Sequence, residues 1–137
     1  MRKRTKAREY ALQLLYRFDI TKESSQVQLE SFWEEQEEQD QEIKNFAEQL
    51  LRGVLGHLDD IDKKISDYAT NWELKRMAVV DRNVLRIGSF ELLYLEDIPL
   101  KVSINEAVDL AKRYSGDEAG KFVNGILDRI KKDSGKS

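Results

Sequence analysis

Cysteine is absent from this 137-residue sequence, and histidine occurs once, as His57. Without cysteine there is neither a disulfide framework nor a thiolate metal site. A single histidine excludes a histidine-rich zinc site, a Cys–His pair and a Ser–His–Asp triad. No run approaches the roughly 20 apolar residues of a membrane span, and no signal-peptide core is present. We therefore expect a cytoplasmic binding protein without a membrane anchor, a cofactor or catalytic machinery.

Proline is nearly absent too, occurring only as Pro99, and there are seven glycines. This composition fits a helical chain better than a sheet protein with many turns. Apolar residues recur at the helical period, and no strand-like alternation is visible. A chain of this length forms one domain and can bury roughly two-thirds of its unfolded surface. We predict an all-α fold of about seven helices over 1–137, in two packed helical subdomains of about 1–70 and 71–133.

The most apolar segment, Val79–Pro99, predicts a central helix covered by neighbours on several sides. Asp81 suits the N-cap of a helix over 82–95, and the proline ends it. Gly88 lies on the apolar face, where it costs about 1 kcal/mol of helix propensity relative to alanine. We expect that this glycine permits a close contact with another helix.

Several acidic residues need an interpretation. Glu91 lies within the apolar face of the central helix, where an unpaired carboxylate is costly. It is either a buried acid satisfied by backbone amides or a basic side chain, or an edge acid that helps to hold a partner.

Consecutive helical positions do not converge on a metal, so we interpret Asp59, Asp60 and Asp62 as a solvated face. The Glu/Gln-rich stretch 34–41 predicts a solvated helix end or loop without an assigned role.

The remaining pattern predicts the other elements in chain order. The first helix covers about 4–19, with Arg8, Glu9, Gln13 and Arg17 facing outward. A loop over 21–26 and a short helix over 27–35 follow. One helix is possible over 41–69, with His57 on the surface, and a short helix or turn at 71–77 is anchored by Trp72, Leu74 and Met77. Capping-box spacing at Ser103–Glu106 and Ser115–Glu118 predicts two more helix starts. The tail from Asp133 is expected to be disordered.

The net charge of −3 conceals an uneven distribution of charge along the chain. The basic start consists of Arg2, Lys3, Arg4, Lys6 and Arg8. Cations at a helix N-terminus oppose the helix dipole, so stability does not explain five of them there. The run is either a solvated tail or a binding site for a polyanion.

A second candidate site lies on the last helix, in the run Lys121–Gly125. Phe122 is at the edge of the apolar face, beside a lysine. It is either a core residue or a platform on which an unpaired base stacks, a contact worth about 1–3 kcal/mol. Gly120 and Gly125 would let a backbone approach closely, although neither belongs to a phosphate-binding loop.

These stretches together resemble the NusB family of bacterial transcription antitermination factors. The likeness spans essentially the whole chain in the family's order and spacing. The residues that carry it are Lys6–Glu9, Ala11–Gln13, Leu15–Tyr16, Val80–Ile87, Phe90–Leu92, Ile98–Pro99, Lys101–Val102, Ile104–Val108, Leu110–Lys112 and Lys121–Asp128.

The resemblance implies a fold of two helical subdomains and a short single-stranded RNA ligand, the BoxA element of ribosomal RNA transcripts. It also implies a heterodimer with the ribosomal protein NusE inside an RNA polymerase antitermination complex, and a homodimer is possible. By position, the basic start (Arg2, Lys3, Arg4, Lys6, Arg8) matches the family's arginine-rich RNA-binding segment. Lys121 and Phe122 match a second RNA contact, and Glu118 an acid near the RNA. Tyr16 and Asp81 match positions that face the protein partner.

Two other functions remain open. Some ribosomal RNA cytosine methyltransferases begin with a NusB-like domain, but this sequence has no cofactor-binding βαβ half and no cysteine nucleophile. A free-standing RNA-binding protein therefore fits better. The other alternative is a structural helical bundle that dimerises. Measuring self-association with and without RNA would separate this alternative from the binding function.

Overall fold

The computed structural model describes residues 1–22 and 25–136, and the side chains of all of these except 25–28. The predicted all-α class is confirmed, since the described residues form seven α-helices and no strand. None of the described helices is long and apolar enough to cross a membrane. The helices are α1 (Lys3–Thr21), α2 (Ser25–Gln36), α3 (Gln41–Gly56), α4 (Leu58–Tyr68), α5 (Val79–Tyr94), α6 (Leu100–Ser115) and α7 (Asp117–Ile130), with short 3₁₀ turns at Leu74–Arg76 and Lys131–Asp133.

The central position predicted for α5 is confirmed. This helix packs against α1, α3, α4, α6 and α7, and its residues from Asn83 to Leu92 are all buried. A Cβ atom built on Gly88 would lie 2.6 Å from Leu127 Cδ1 of α7, which is closer than real side chains approach. The glycine therefore permits the close contact between α5 and α7 that its place on the apolar face indicated.

The start of α5 differs from the prediction. The helix begins at Val79 with Ala78 at the N-cap, and Asp81 lies in the first turn instead of capping it. An acid in the first turn still interacts favourably with the helix dipole. Asp81 is thus free of the capping role and half-buried at the surface.

Both predicted capping boxes are wrong. Helix α6 begins one turn earlier, after Pro99, and α7 follows Gly116, which has a φ of 94°. Proline has its φ preset for a helix start, and glycine adopts a positive φ without strain. Ser103 therefore lies inside α6, where its buried hydroxyl donates a hydrogen bond to Glu91.

The single helix expected over 41–69 is divided at His57 into α3 and α4. The ring of Phe90 on α5 occupies the space beside Gly53, and a Cβ atom there would lie 2.0 Å from the ring carbon Cζ. His57 is exposed, as predicted, and stacks on Tyr94 with 4.0 Å between ring centroids. The division between α3 and α4 therefore lies beside the C-terminal part of α5, which carries Phe90 and Tyr94.

Two segments outside the helices also differ from expectation. Trp72, expected to anchor the chain at 71–77, is 54% exposed, whereas Met77 is buried. The tail expected to be disordered is instead attached to the core up to Lys136. Asp133 accepts hydrogen bonds from Lys64 and Tyr68. The ammonium group of Lys136 donates hydrogen bonds to three backbone carbonyl oxygens in the last turn of α5 and just after it. These belong to Glu91, Leu95 and Ile98.

The remaining helix bounds are close to the predictions. Helix α1 extends to Thr21, into the loop predicted over 21–26, and residues 23 and 24 of that loop lie outside the described part. Helix α2 begins two residues before the predicted start.

Helix α4, from the first half of the chain, packs against α5 and α7 of the second half. The division into subdomains near residue 70 stays a prediction.

Candidate nucleic-acid interface

Four cations form an exposed surface at the start of α1, which we call the basic arm: Arg2, Lys3, Arg4 and Lys6. The side chains of Lys3, Arg4 and Lys6 are 56%, 50% and 43% exposed. They are nevertheless paired with acids. Their carboxylate partners and N···O distances are Asp40 at 3.1 Å and Glu42 at 3.1 Å for Lys3, Asp97 at 3.3 Å for Arg4 and Glu38 at 2.7 Å for Lys6.

Arg8 does not belong to this surface, and its expected outward orientation is wrong. The residue is 3% exposed. Its guanidinium donates to both carboxylate oxygens of Glu91, at 2.7 and 2.8 Å, and to Glu106 at 2.9 Å. Burial alone lowers the pKa of Arg8, but the two carboxylates outweigh it and raise the pKa. The crossing of α1 over α5 and α6 explains the burial, which a single helix pattern cannot show.

The same contact settles the two interpretations of Glu91. The carboxylate is 1% exposed and is satisfied by the basic side chain of Arg8 and by the Ser103 hydroxyl. It is therefore a buried acid of the core, and not an edge acid available to a partner. The interpretation of Asp62 as part of a solvated face is wrong, because its carboxylate pairs at 2.8 Å with Arg86, whose side chain is buried. No group of three or more acidic, histidine or cysteine side chains in the described part could hold a metal ion.

The second candidate site lies at the start of α7. Phe122 is half-buried, with Lys121 exposed beside it. Its ring meets the ring of Trp72 edge to face, with 5.6 Å between centroids. Glu118 is highly exposed, and its carboxylate lies 3.5 Å from the Lys121 ammonium group. The two aromatic side chains form a partly exposed apolar surface next to a cation.

Trp72 is a candidate that the sequence reasoning missed, because an isolated tryptophan was assigned to the core. Its neighbours Asn71 and Glu73 are polar and exposed, and they form no helical stripe with it. That local context was the available signal for a surface tryptophan. Trp72 therefore joins Phe122 as a second aromatic candidate.

A surface cavity of about 410 Å³ connects Asp81 with the α7 site. Its lining includes Trp72, Arg76, Asp81, Glu118 and Phe122. One carboxylate oxygen of Asp81 is buried there and has no hydrogen-bond partner among the described residues. Tyr16 lies on the neighbouring α1 and is 44% exposed. The fold thus brings Asp81 next to Glu118 and Phe122.

The basic arm lies apart from this cavity. Arg4 pairs with Asp97, just before α6, whereas Glu118 and Phe122 follow the C-terminal end of α6. A 16-residue helix is about 24 Å long at 1.5 Å per residue. The predicted site residues therefore form two patches, located toward opposite ends of α6.

The model of a family described as the NusB family matches residues 5–132. The chain belongs to the NusB family. It is 47% identical over 140 residues to the transcription antitermination protein NusB of Thermodesulfovibrio yellowstonii, which covers 96% of this chain and 93% of the relative. It is 46% identical over 131 residues to the protein of the same name from Bacillus subtilis, covering 96% of each. The NusB family is thus confirmed, and with it a role in transcription antitermination instead of enzyme catalysis.

A solved structure supports the same family. A crystal structure of the antitermination factors NusB and NusE in complex with dsRNA contains a chain that matches with a TM-score of 0.88 and 33% identity. The match covers 96% of this chain and 98% of the other. The NusB fold is therefore present over nearly the whole chain.

Proposed function

We propose that this protein binds the single-stranded BoxA element of ribosomal RNA transcripts together with NusE, as part of a cytoplasmic RNA polymerase antitermination complex. Family membership supplies the antitermination role. A structural neighbour that contains NusB, NusE and dsRNA favours RNA and NusE as partners. The choice of a single strand rests on the aromatic surface at the start of α7 and not on this neighbour. The finer assignment to BoxA rests on the resemblance to the NusB family, and the chemistry of the two surface patches favours a single strand of RNA.

The observation that carries the proposal is the aromatic surface of Phe122 and Trp72 beside Lys121. An unpaired base offers a flat π-face, and stacking on an aromatic ring contributes about 1–3 kcal/mol per base. Bases in a duplex already stack on each other and do not offer that face. Lys121 supplies a cation for the phosphate of the stacked nucleotide. This arrangement favours a single strand over a duplex.

The basic arm supplies the phosphate contacts, which do not depend on the sequence of the RNA. Lysine and arginine neutralise phosphates and position an RNA strand, whereas base contacts read its sequence. We assign this role to Arg2, Lys3, Arg4 and Lys6. Arg8 is left out because its charge is compensated in the core by Glu91 and Glu106.

We assign the protein partner to the surface around Tyr16 and Asp81. Tyr16 is exposed, and Ile20 is one helical turn further along α1 and 56% exposed. Tyrosine is enriched in protein interfaces, and the buried centre of an interface is more apolar than the rest of the surface. Asp81 adds a negative charge that a basic partner could approach. Because Asp81 shares a cavity with Phe122, the RNA and protein partners would meet at this place.

A titration of fluorescent RNA with and without NusE tests the proposal. Single-stranded BoxA should bind more tightly than a scrambled strand or a BoxA duplex, and NusE should increase its affinity. Asp81→Lys should remove most of the increase from NusE, whereas the binding of RNA alone should not weaken, because the new cation shares the cavity with Phe122. Equal affinity for all three RNAs would contradict recognition of BoxA. Self-association that RNA does not alter, with no RNA binding, would favour a structural dimer.

A further inference from the structure

An acidic segment, Glu38–Glu42, lies directly against the basic arm and supplies most of its carboxylate contacts. Asp40 and Glu42 both reach the ammonium group of Lys3, and Glu38 reaches that of Lys6. No pattern in the sequence connects this segment to the arm, from which it is separated by more than thirty residues. Its acids occupy the positions around the lysines that RNA phosphates would take.

The acidic segment is held in place by contacts of its own. Asp40 caps α3 by accepting a hydrogen bond from the Glu42 backbone N–H at 2.9 Å. Glu38 is buried and accepts hydrogen bonds from the Tyr10 hydroxyl and the Asp40 backbone N–H, each at 3.0 Å. These contacts do not involve the arm, so the carboxylates of Glu38 and Asp40 stay beside it when the lysines turn away.

We propose that the acidic segment Glu38–Glu42 is an intramolecular competitor for the RNA phosphates at the basic arm. A strand that binds must displace carboxylates from Lys3 and Lys6, and this requirement weakens the contribution of the arm to every RNA. RNA strands that also stack on the aromatic surface of Phe122 and Trp72 are retained, whereas RNA strands held by charge alone dissociate. This inference rests on the proposed binding of RNA at the arm.

The variant Asp40→Asn/Glu42→Gln tests the competition with little change in shape. Asparagine is as good an N-cap as aspartate, so α3 keeps its start. Exposed ion pairs are weak, so the loss of two should raise the affinity for BoxA and for a scrambled strand by a similar factor of about three to ten. The control Glu30→Gln/Glu34→Gln removes the same charge from α2, whose described side chains make no ion pair with the arm.

A double-mutant cycle with Lys3→Ala/Arg4→Ala/Lys6→Ala separates the possible outcomes. Competition requires that the acid variant raises affinity with the arm present and has no effect in the arm variant. An equal rise in both backgrounds, or an equal rise in the α2 control, would show a long-range effect of net charge and overturn the inference. No rise, while the arm variant alone weakens binding, would overturn it and leave the proposed function standing. Unchanged binding by the arm variant would contradict both the inference and the phosphate-binding role assigned to the arm, but not the stacking of RNA on Phe122.

Discussion

Glu91 and Arg8 join the central helix to α1 through a buried ion pair. The guanidinium spans both carboxylate oxygens, and Ser103 donates a further hydrogen bond. Such a pair contributes little net stability relative to apolar residues, but the loss of one partner leaves an uncompensated charge in the core. Arg8 therefore illustrates how a cation in a basic run can serve folding while its neighbours stay on the surface, where we propose that RNA binds.

Replacing Glu91 with glutamine should lower the free energy of unfolding by about 3 kcal/mol, because Arg8 then lacks its main counter-charge. Urea denaturation measures this loss. Ser103→Ala removes only one neutral donor and should cost about 1 kcal/mol. Equal small losses for both variants would show that Glu106 alone compensates Arg8.

Phe122→Ala should weaken single-stranded RNA binding by about 1–3 kcal/mol, the contribution of one base stack. Because the ring is half-buried, we expect a loss of stability of only about 1 kcal/mol. Phe122→Tyr keeps the π-face and should bind RNA nearly normally. Val123→Ala, at a fully buried neighbour, is the matched control and should lower stability by about 2 kcal/mol without this loss of affinity. A large fall in melting temperature for Phe122→Ala, with RNA affinity unchanged in the folded fraction, would assign the ring to the core.

At the scale of elements, local pattern was sufficient to predict an all-α chain and the central place of α5, but the expected number of about seven helices counted 41–69 as one helix and 71–77 as a short helix or turn. The break at His57 could not be predicted, because it accompanies a contact between Gly53 and Phe90, which are far apart in sequence. The burial of Arg8 has the same origin. Here the unmatched charge of Glu91 did indicate a basic partner, although the pattern did not identify which one. The position of Phe122 at the edge of its stripe was predictable, whereas the acidic segment beside the arm was not.

Gly53→Ala tests whether the contact with Phe90 governs the packing of α3. Alanine favours a helix interior by about 1 kcal/mol over glycine, but the new methyl group would overlap the Phe90 ring. We expect a net loss of about 1–3 kcal/mol from overpacking, measured by thermal denaturation. Gly56→Ala, in open space three residues later, should leave stability unchanged or raise it. A stabilised Gly53→Ala variant would show that the ring moves aside freely.

At the scale of the whole molecule, two carboxylates link stability to pH. Burial raises the pKa of Asp19, but hydrogen bonds from Arg82 and Asn83 and the charge of Arg86 outweigh it and hold the pKa well below its usual range. The hydrogen bond from Lys6 is the main reason that the pKa of Glu38 is lowered to about 2. In the unfolded chain both acids take up protons at about pH 4. As the pH falls from about 5 toward 2, the unfolded state therefore binds more protons at these two acids than the native state does.

The free energy of unfolding should consequently be constant with respect to these acids above about pH 5 and fall as the pH drops from there toward 2. Asp19→Asn should reduce the slope in this range, since one of the two linked protons is removed. Glu30→Gln, at an exposed acid of α2, is the control for the loss of one negative charge. Urea denaturation between pH 2 and 7 measures all three proteins. A slope that Asp19→Asn does not alter would contradict the linkage.

The net charge of −3 means that binding of a polyanion must depend on local patches and not on overall attraction. The salt dependence of RNA affinity tests this claim most directly. If the four cations of the basic arm each neutralise one phosphate, log affinity should fall with log salt concentration at a slope of about −3, from −0.7 per contact. Lys3→Ala/Arg4→Ala/Lys6→Ala should flatten that slope by about two and leave the protein folded, although the loss of the contact between Lys6 and buried Glu38 lowers its melting temperature. An unchanged slope would show that the arm is a solvated start of α1 and that RNA binds elsewhere.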